Sequence, residues 1–360
     1  MLPELGATFR VSAATAAASV TAYLLPFAAL MLVSGTLGER WGRRRTVVGA
    51  YLLYVVASVA AVVAPTFELF LATRALQGVA NAFTTPLLLT TLAGLAAPGR
   101  LGRALGWFGS LQAAGQTSAP LLGGLAAEVD WRQAFVGVAV VAALLAAIAI
   151  PSGTPAPRTA LRSALGSALR PDVLRIGLVA AVGWGLLAGL AFLVALRLEE
   201  VFAVPAGQRG LVLTGLGIAG LLSARLVGGA VDRIGARRTV LIGAGLGALV
   251  VLGAGLAPAV WAVAAIWAFG GLASQLVLVG VNALALAPGR ENASGAMSVV
   301  QAVRFGGSSL APVAVTPIYH AEPLLAFVVP AAAIAAVVPL ALPRGGPRPG
   351  PRVENDVTAN

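Results

Sequence analysis

Long apolar runs cut by short polar breaks dominate this chain. Dividing it at charges and Pro/Gly clusters leaves runs near 13–37, 46–64, 67–95, 104–126, 132–150, 175–197, 210–231, 239–256, 259–287, 295–318 and 324–342. Each has about the 17–25 residues, or slightly more, that a tilted helix needs to cross a bilayer. Lipid-facing strands alternate polarity at every second residue and run only about ten residues, so these continuously apolar runs predict helices rather than a barrel. The pattern predicts an all-α integral membrane protein with about eleven transmembrane helices.

Composition agrees: 59% of residues are hydrophobic, against roughly 45–50% in soluble domains. The first run lacks a basic flank and others follow at once, so no cleavable signal peptide is expected. The chain has no cysteine, which excludes disulfides and thiolate metal sites. All 24 basic residues are arginine, which together with the Ala/Gly richness suggests a GC-rich bacterial genome.

A net charge of +11 raises nucleic acid as a partner, but its placement argues for a membrane. Arg40, Arg43, Arg44 and Arg45, then Arg100 and Arg103, then Arg158, Arg162, Arg170 and Arg175, then Arg233, Arg237 and Arg238, then Arg290, then Arg344, Arg348 and Arg352 all fall on one side of the alternating topology. The opposite loops carry Glu68, Glu128, Asp130, Glu199, Glu200 and Glu322, with only Arg10, Arg132, Arg197 and Arg209. The positive-inside rule makes the Arg-rich loops and the C-terminus cytoplasmic, and an odd span count places the N-terminus outside.

The chain repeats itself. "GTLGERWGRRRTV" from Gly35 returns as "GGAVDRIGARRTV" from Gly228, an offset of 235 − 42 = 193 between Gly42 and Gly235. "APGR" at 97–100 recurs at 287–290, and Gly115, Ala119 and Pro120 pair with Gly307, Ala311 and Pro312 at 312 − 120 = 192. Two parallel helical halves are expected, 1–150 and 175–342, joined by a basic loop at 151–174. Leu161, Leu165 and Leu169, four apart, allow that loop a helix on the membrane surface; a solvated linker is the equal alternative. The Pro/Gly-rich tail 343–360 is expected to be disordered.

With these motifs in hand, the sequence resembles the major facilitator superfamily, and within it the bacterial drug:proton antiporter and efflux-permease branch. The loop signature between that family's second and third helices is matched by Gly35, Glu39, Arg40, Gly42, Arg43 and Arg44. Its fourth-helix signature is matched by Arg74, Gln77 and Gly78, and its antiporter signature by Gly115, Ala119, Pro120, Gly123 and Gly124, followed by "WRQAF" at 131–135. Glu39 stands where the family usually has Asp, and Ala119 where it often has Gly. Residues 2–12 resemble the segment after the family's first helix, so five spans are expected in the first half and six in the second.

Physically, Gly35 and Gly38 let a second helix approach closely, Glu39 can accept charge-assisted hydrogen bonds, and Gly42 permits a tight turn. The resemblance implies that this loop latches a cytoplasmic gate. The alternative is a topology anchor, and duplication at Gly228, Asp232, Arg233, Gly235, Arg237 and Arg238 favours the gate. Arg74 lies inside its span and Arg304 near the middle of its own. An embedded arginine costs at least about 2.5–3.5 kcal/mol, so each is expected to face a cavity or a partner. The resemblance associates Arg74 with proton transfer; Arg225, near a span end, is expected to snorkel. Pro120 is expected to kink its helix and the neighbouring glycines to let another helix pack.

All thirteen acids fall in loops, tails or span ends. Proton antiport needs an embedded titrating group, for which Glu199 and Glu200 are substitutes if they are not a solvated pair; His320 is placed in an outer loop. Candidate cavity residues are Tyr23, Asn81, Gln112, Gln116, Trp184, Gln275, Asn282, Gln301 and Arg304 among apolar neighbours, a wall suited to an amphiphilic molecule. Embedded arginines without embedded acids leave that interior positive.

The expected function is export of small organic molecules by alternating access, with protons as the expected coupling ion, from a monomer in a bacterial inner membrane, with no cofactor or metal and no nucleic acid. The alternatives are a transport-silent truncated member or substrate sensor, and an organic-anion or sugar permease. No nucleophile–base or metal cluster can be assembled, which disfavours an enzyme.

Overall fold

The computed structural model describes residues 2–16, 18–148, 161–287, 290 and 292–343. Among them every regular element is helical. In chain order these are α1 (Leu2–Phe9), α2 (Ala13–Ala16), α3 (Ala18–Trp41), α4 (Arg43–Val62), α5 (Phe67–Ala82), α6 (Thr84–Leu95), α7 (Leu101–Val129), α8 (Arg132–Ala147), α9 (Leu161–Ala168) and α10 (Pro171–Ala180). A π-helical turn (Ala181–Gly185) leads into α11 (Leu186–Gly189), α12 (Ala191–Glu200), α13 (Ala206–Ile234), α14 (Ala236–Leu256), α15 (Val260–Ala285), α16 (Ala293–Ala321) and α17 (Leu325–Ala341). The tail from 344 and linker residues 151–160, Arg158 among them, lie outside the described residues.

Among the described residues, seven stretches are long and apolar enough to cross a membrane, and α8 and α17 are shorter apolar helices. Two of the predicted runs are internally broken. The run 67–95 is two helices meeting at Phe83, and the run 175–197 starts earlier, at Pro171, and passes through the π-turn and a second break at Leu190. Local chemistry explains the starts: Thr66 Oγ1 accepts from Leu69 N at the head of α5, Pro171 opens α10, and Asn292 Oδ1 accepts from Gly295 N at the head of α16. Large side chains such as Leu25, Leu222, Leu226 and Trp261 face outward, as lipid-facing positions do.

The packing repeats with the sequence. α3 lies on α5 and α16, and its counterpart α13 lies on α15 and α7; α4 pairs with α8 as α14 pairs with α17. Within the second half the core closes around Trp267, Leu187, Phe327 and Met297. At the acid-rich end of the first half, Phe67, Phe70, Trp131 and Phe135 cluster under α1, where Trp131 Nε1 donates to Thr8 Oγ1 at 2.9 Å. A third cluster, Phe27, Met31, Ala82 and Ala302, bridges α3, α5 and α16.

Candidate functional site

At the Arg-rich end the two copies of the repeat close two crossings between the halves. In the first copy, a Cβ on Gly35 would lie 1.9 Å from Ser294 O, and one on Gly38 would lie 2.5 Å from Leu87. Only glycine at 35 allows α3 to meet the α16 backbone this closely, whereas at 38 a larger residue would displace the Leu87 side chain of α6. Gly35 N donates to Ser298 Oγ at 2.6 Å. Glu39, on the last turn of α3, accepts from Arg43 Nε at 2.9 Å and from the Ser294 hydroxyl on α16. Gly42 has φ +95°, the conformation a tight turn between α3 and α4 requires.

The second copy repeats this with different chemistry. A Cβ on Gly228 would lie 2.7 Å from Gly102 O, so α13 meets α7 backbone to backbone. Asp232 Oδ1 accepts from Gly102 N at 2.7 Å, and its Oδ2 accepts from Arg103 N and Nε, each at 3.2 Å. The carboxylate thus sits on the first turn of α7, where unpaired N–H groups and the helix dipole favour an anion. Gly235 makes the following turn at φ +86°. Arg40, Arg44, Arg233 and Arg238 are exposed, and Arg237 is half-buried.

Ser294, Ser298, Gly102, Arg103 and Asn292 were not singled out from the sequence. The offset was a usable signal for two of them: 294 − 102 = 192, so the partners of Glu39 and Asp232 are copies of each other. Asn292 Nδ2 donates to Thr36 Oγ1 on α3 and to Ala164 O on α9, both at 2.9 Å. The linker helix α9 therefore docks on the seam between α3 and α16, with Ala168 buried. Leu165 is half-buried there and Leu169 exposed; the side chain of Leu161 lies outside the described residues.

Toward the other end lies a cavity of about 440 Å³ between α7, α13, α15 and the α10–α11 junction. Gln112, Gln116, Trp184 and Gln275 line it, together with Thr117, Thr214 and Ser274. The remaining candidates lie elsewhere. Tyr23 and Asn81 are joined at 2.5 Å by Nδ2 donating to the phenol, and Tyr23 stacks on Phe27. Asn282, Gln301 and Arg304 are buried outside the lining.

Arg74 is partnered: it donates to Gln77 Oε1 and to Ser19 O, its guanidinium lies 4.8 Å from the Tyr23 ring centre, and Gln77 Nε2 continues to Ser58 Oγ at 2.8 Å. A Cβ on Gly78 would meet Tyr23 O at 2.2 Å, so this glycine lets α5 reach α3. Arg225 is exposed, Glu199 pairs with Arg209, and His320 lies on the last turn of α16 rather than in the expected loop, exposed near the acid-rich end.

The antiporter-like stretch corrects one expectation. A Cβ on Gly115 would meet nothing within 4 Å, and Ala119 is exposed, so neither serves a close helix contact. Gly123 is half-buried; Pro120 and Gly124 lie within α7, and their surroundings are outside what the structure describes. The close approaches along α7 come from Gly102, Gly106 and Gly109, and from Gly217 of α13 against Thr117.

The family model described as Major Facilitator Superfamily matches residues 1–312. Similar relatives are the multidrug resistance protein B homolog of Mycobacterium tuberculosis, 33% identical over 131 residues (36% of this chain, 24% of that protein), and the drug efflux pump JefA of the same organism, 32% identical over 137 residues (38% and 27%). Puromycin resistance protein pur8 of Streptomyces alboniger is 36% identical over 127 residues (35% and 25%). The matched segments thus span about a quarter of these relatives. Among solved structures, the human organic anion transporter MFSD10 (TETRAN) superposes with a TM-score of 0.77 at 15% identity, covering 90% of this chain and 82% of that one. The proton:xylose symporter XylE gives 0.72 at 14%, covering 95% and 90%.

Proposed function

The chain belongs to the Major Facilitator Superfamily, and from that premise we propose that it exports small, amphiphilic organic molecules across a bacterial plasma membrane by alternating access. The observation that carries this reading is the pairing of two repeat-related crossings at one end of the bundle with a mostly apolar cavity beyond them. Closure at one end of the bundle, with a cavity beyond it, is what one of two alternating states requires. The drug-efflux names of the relatives support the choice of export over uptake.

In this reading the Arg-rich end is cytoplasmic by the positive-inside rule, with the C-terminus on that side, and the protein acts as a monomer in lipid. Glu39 and Asp232 are the two latches. Protons are the coupling ion, with Arg74 and its Gln77–Ser58 chain as the residues through which coupling acts. The test is uptake by inside-out proteoliposomes under an imposed pH gradient, using puromycin, naphthalene-1-acetate, naphthalene-1-acetamide and 1-naphthylmethylamine as probes. At least one should accumulate, and Glu39→Ala should cut accumulation with membrane insertion intact. Gradient-independent uptake removes proton coupling, unchanged uptake by the Glu39→Ala variant removes the latch, and no uptake of any probe removes the exporter assignment for this class of molecule.

A further inference from the structure

Resting on the transporter reading, we infer that Arg304 anchors the acidic group of an organic anion and that Trp184 is the wall that separates it from the cavity. Arg304 is completely buried, the only charged side chain among the described residues to be so. Its Nε and both Nη nitrogens have no hydrogen-bond partner among the described residues. The guanidinium lies 4.3 Å from the Trp184 ring centre and 4.5 Å from that of Phe305. Such contacts offset only part of what it costs to bury an ion. The charge is therefore under-compensated by the protein alone. Five N–H donors in a fixed planar fork fit a carboxylate or sulfonate in two parallel bonds.

Three further observations converge on this position. Gln301, one turn earlier on the same face of α16, is also completely buried, with both amide atoms unpartnered, which adds a donor beside the guanidinium. Trp184 both lines the cavity and stacks on Arg304, so one indole lies between the cavity and the cation. Trp184 also belongs to the π-turn, a helix defect frequent at functional sites, and that turn rests directly on α16: a Cβ on Gly185 would lie 3.0 Å from Arg304 O.

The charge balance selects the sign of the ligand. The other embedded arginine, Arg74, already has Gln77 and the Ser19 carbonyl as acceptors. Glu39 and Asp232 sit at the Arg-rich end of their helices, and no described residue in the cavity wall is acidic. A cationic molecule entering the cavity would meet Arg304 with no counter-charge, while an anion would supply the missing one. Movement of Trp184 off the guanidinium opens the path, and the aromatic body of the ligand then takes the place of the indole against Phe305.

The experiment compares three molecules of one shape. Binding of naphthalene-1-acetate, naphthalene-1-acetamide and 1-naphthylmethylamine to the full chain in nanodiscs is measured by calorimetry, beside the uptake assay in proteoliposomes. The wild type should bind the carboxylate at least tenfold more tightly than the amide or the amine. Arg304→Met, which keeps length and apolar packing, should reduce that preference by tenfold or more, and Arg304→Lys should retain part of it. A wild-type preference for the amide or amine overturns the inference without any variant, as does an Arg304→Met protein that keeps the full preference. If Arg304→Met does not fold, benzenesulfonate should displace bound naphthalene-1-acetate from the wild type and benzyl alcohol should not; equal displacement overturns the inference. Carboxylate-selective binding without uptake of any probe would keep the anion site and remove the transporter reading. Uptake of the amine and amide but not the carboxylate would do the reverse.

Discussion

Gly35→Ala gives the sharpest test of the gate. The added Cβ would start 1.9 Å from Ser294 O, whereas carbon–oxygen contacts between packed helices settle near about 3.3 Å. The α3–α16 crossing must therefore open by roughly 3.3 − 1.9 = 1.4 Å, and the atom in the way is backbone, which cannot rotate aside. Overpacking of this kind costs about 1–3 kcal/mol. Because the clash exists only while the Arg-rich end is closed, the penalty acts on one conformer and shifts the equilibrium by about 5–150-fold toward the other. The chain has no cysteine, so single reporters are clean. Ser298→Cys, buried at the crossing, should label with a membrane-impermeant maleimide about 5–150-fold faster from the Arg-rich side once Gly35→Ala is added. Thr214→Cys in the cavity should label more slowly from the opposite side. Gly49→Ala, where a Cβ would meet nothing, should change neither rate. Equal rates at both reporters refute the reasoning, and faster labelling at both means general loosening instead of a gate.

Three further outcomes follow from the same geometry. Asp232→Asn removes the charge that three N–H groups share; the Arg103 side chain is about half exposed and adds little, so the loss is chiefly the anion on the first turn of α7, about 0.3–2 kcal/mol. Labelling at Ser298→Cys should rise about 2–30-fold, and an unchanged rate would separate this carboxylate from closure. Gly235→Ala places a side chain at φ +86°, at about 1–2 kcal/mol, and should lower the thermal midpoint by a few degrees; a midpoint equal to wild type contradicts the turn. Asn292→Ala removes the α16 cap and both bonds at 2.9 Å to Thr36 and Ala164, so trypsin should cut faster at exposed Arg162; an unaltered rate would show that α9 is not held by Asn292.

The turn glycines and the two carboxylates were legible in the sequence because duplication marks them: a residue type that recurs at an offset of 193 beside a basic run must satisfy the same backbone demand twice. The partners were harder. Glu39 and Ser294 are 255 residues apart, and a serine at the head of an apolar helix carries no local signal, although the 192-residue offset leads to it from Gly102. The π-turn and the break at Phe83 were invisible because both interrupt stretches whose apolar periodicity is unbroken, and hydropathy does not register a change in hydrogen-bond register. The glycines of the antiporter-like stretch illustrate a different limit. Gly115 and Gly109 look alike in sequence, yet a Cβ on Gly109 would meet Gln275 Oε1 at 2.6 Å while one on Gly115 would meet nothing; which face of α7 each occupies depends on where α13 and α15 lie.

The contrast between the two kinds of interface shows how a bundle this apolar would move in the proposed transport cycle. Within the second half, Trp267, Leu187 and Phe327 interlock as completely buried side chains, and separating them would leave voids that lipid or water would have to fill. At the Arg-rich crossings the contacts are Gly35 on Ser294, Gly228 on Gly102 and Gly106 on Ala224, backbone against backbone with almost no interdigitation. These contacts bury little apolar side chain, so opening them to water carries only a small hydrophobic cost; what remains is dispersion and the polar bonds at Ser298, Glu39 and Asp232. Each such bond contributes about 0.5–3 kcal/mol, so a handful suffices to hold one end shut and their loss is recoverable when the opposite end closes. Larger side chains at these glycine positions would block closure, and leucines at a wider spacing would bind the halves too firmly. In the proposed cycle, small residues bracketed by one carboxylate per crossing would keep the two states within the few kcal/mol that a bound ligand can invert.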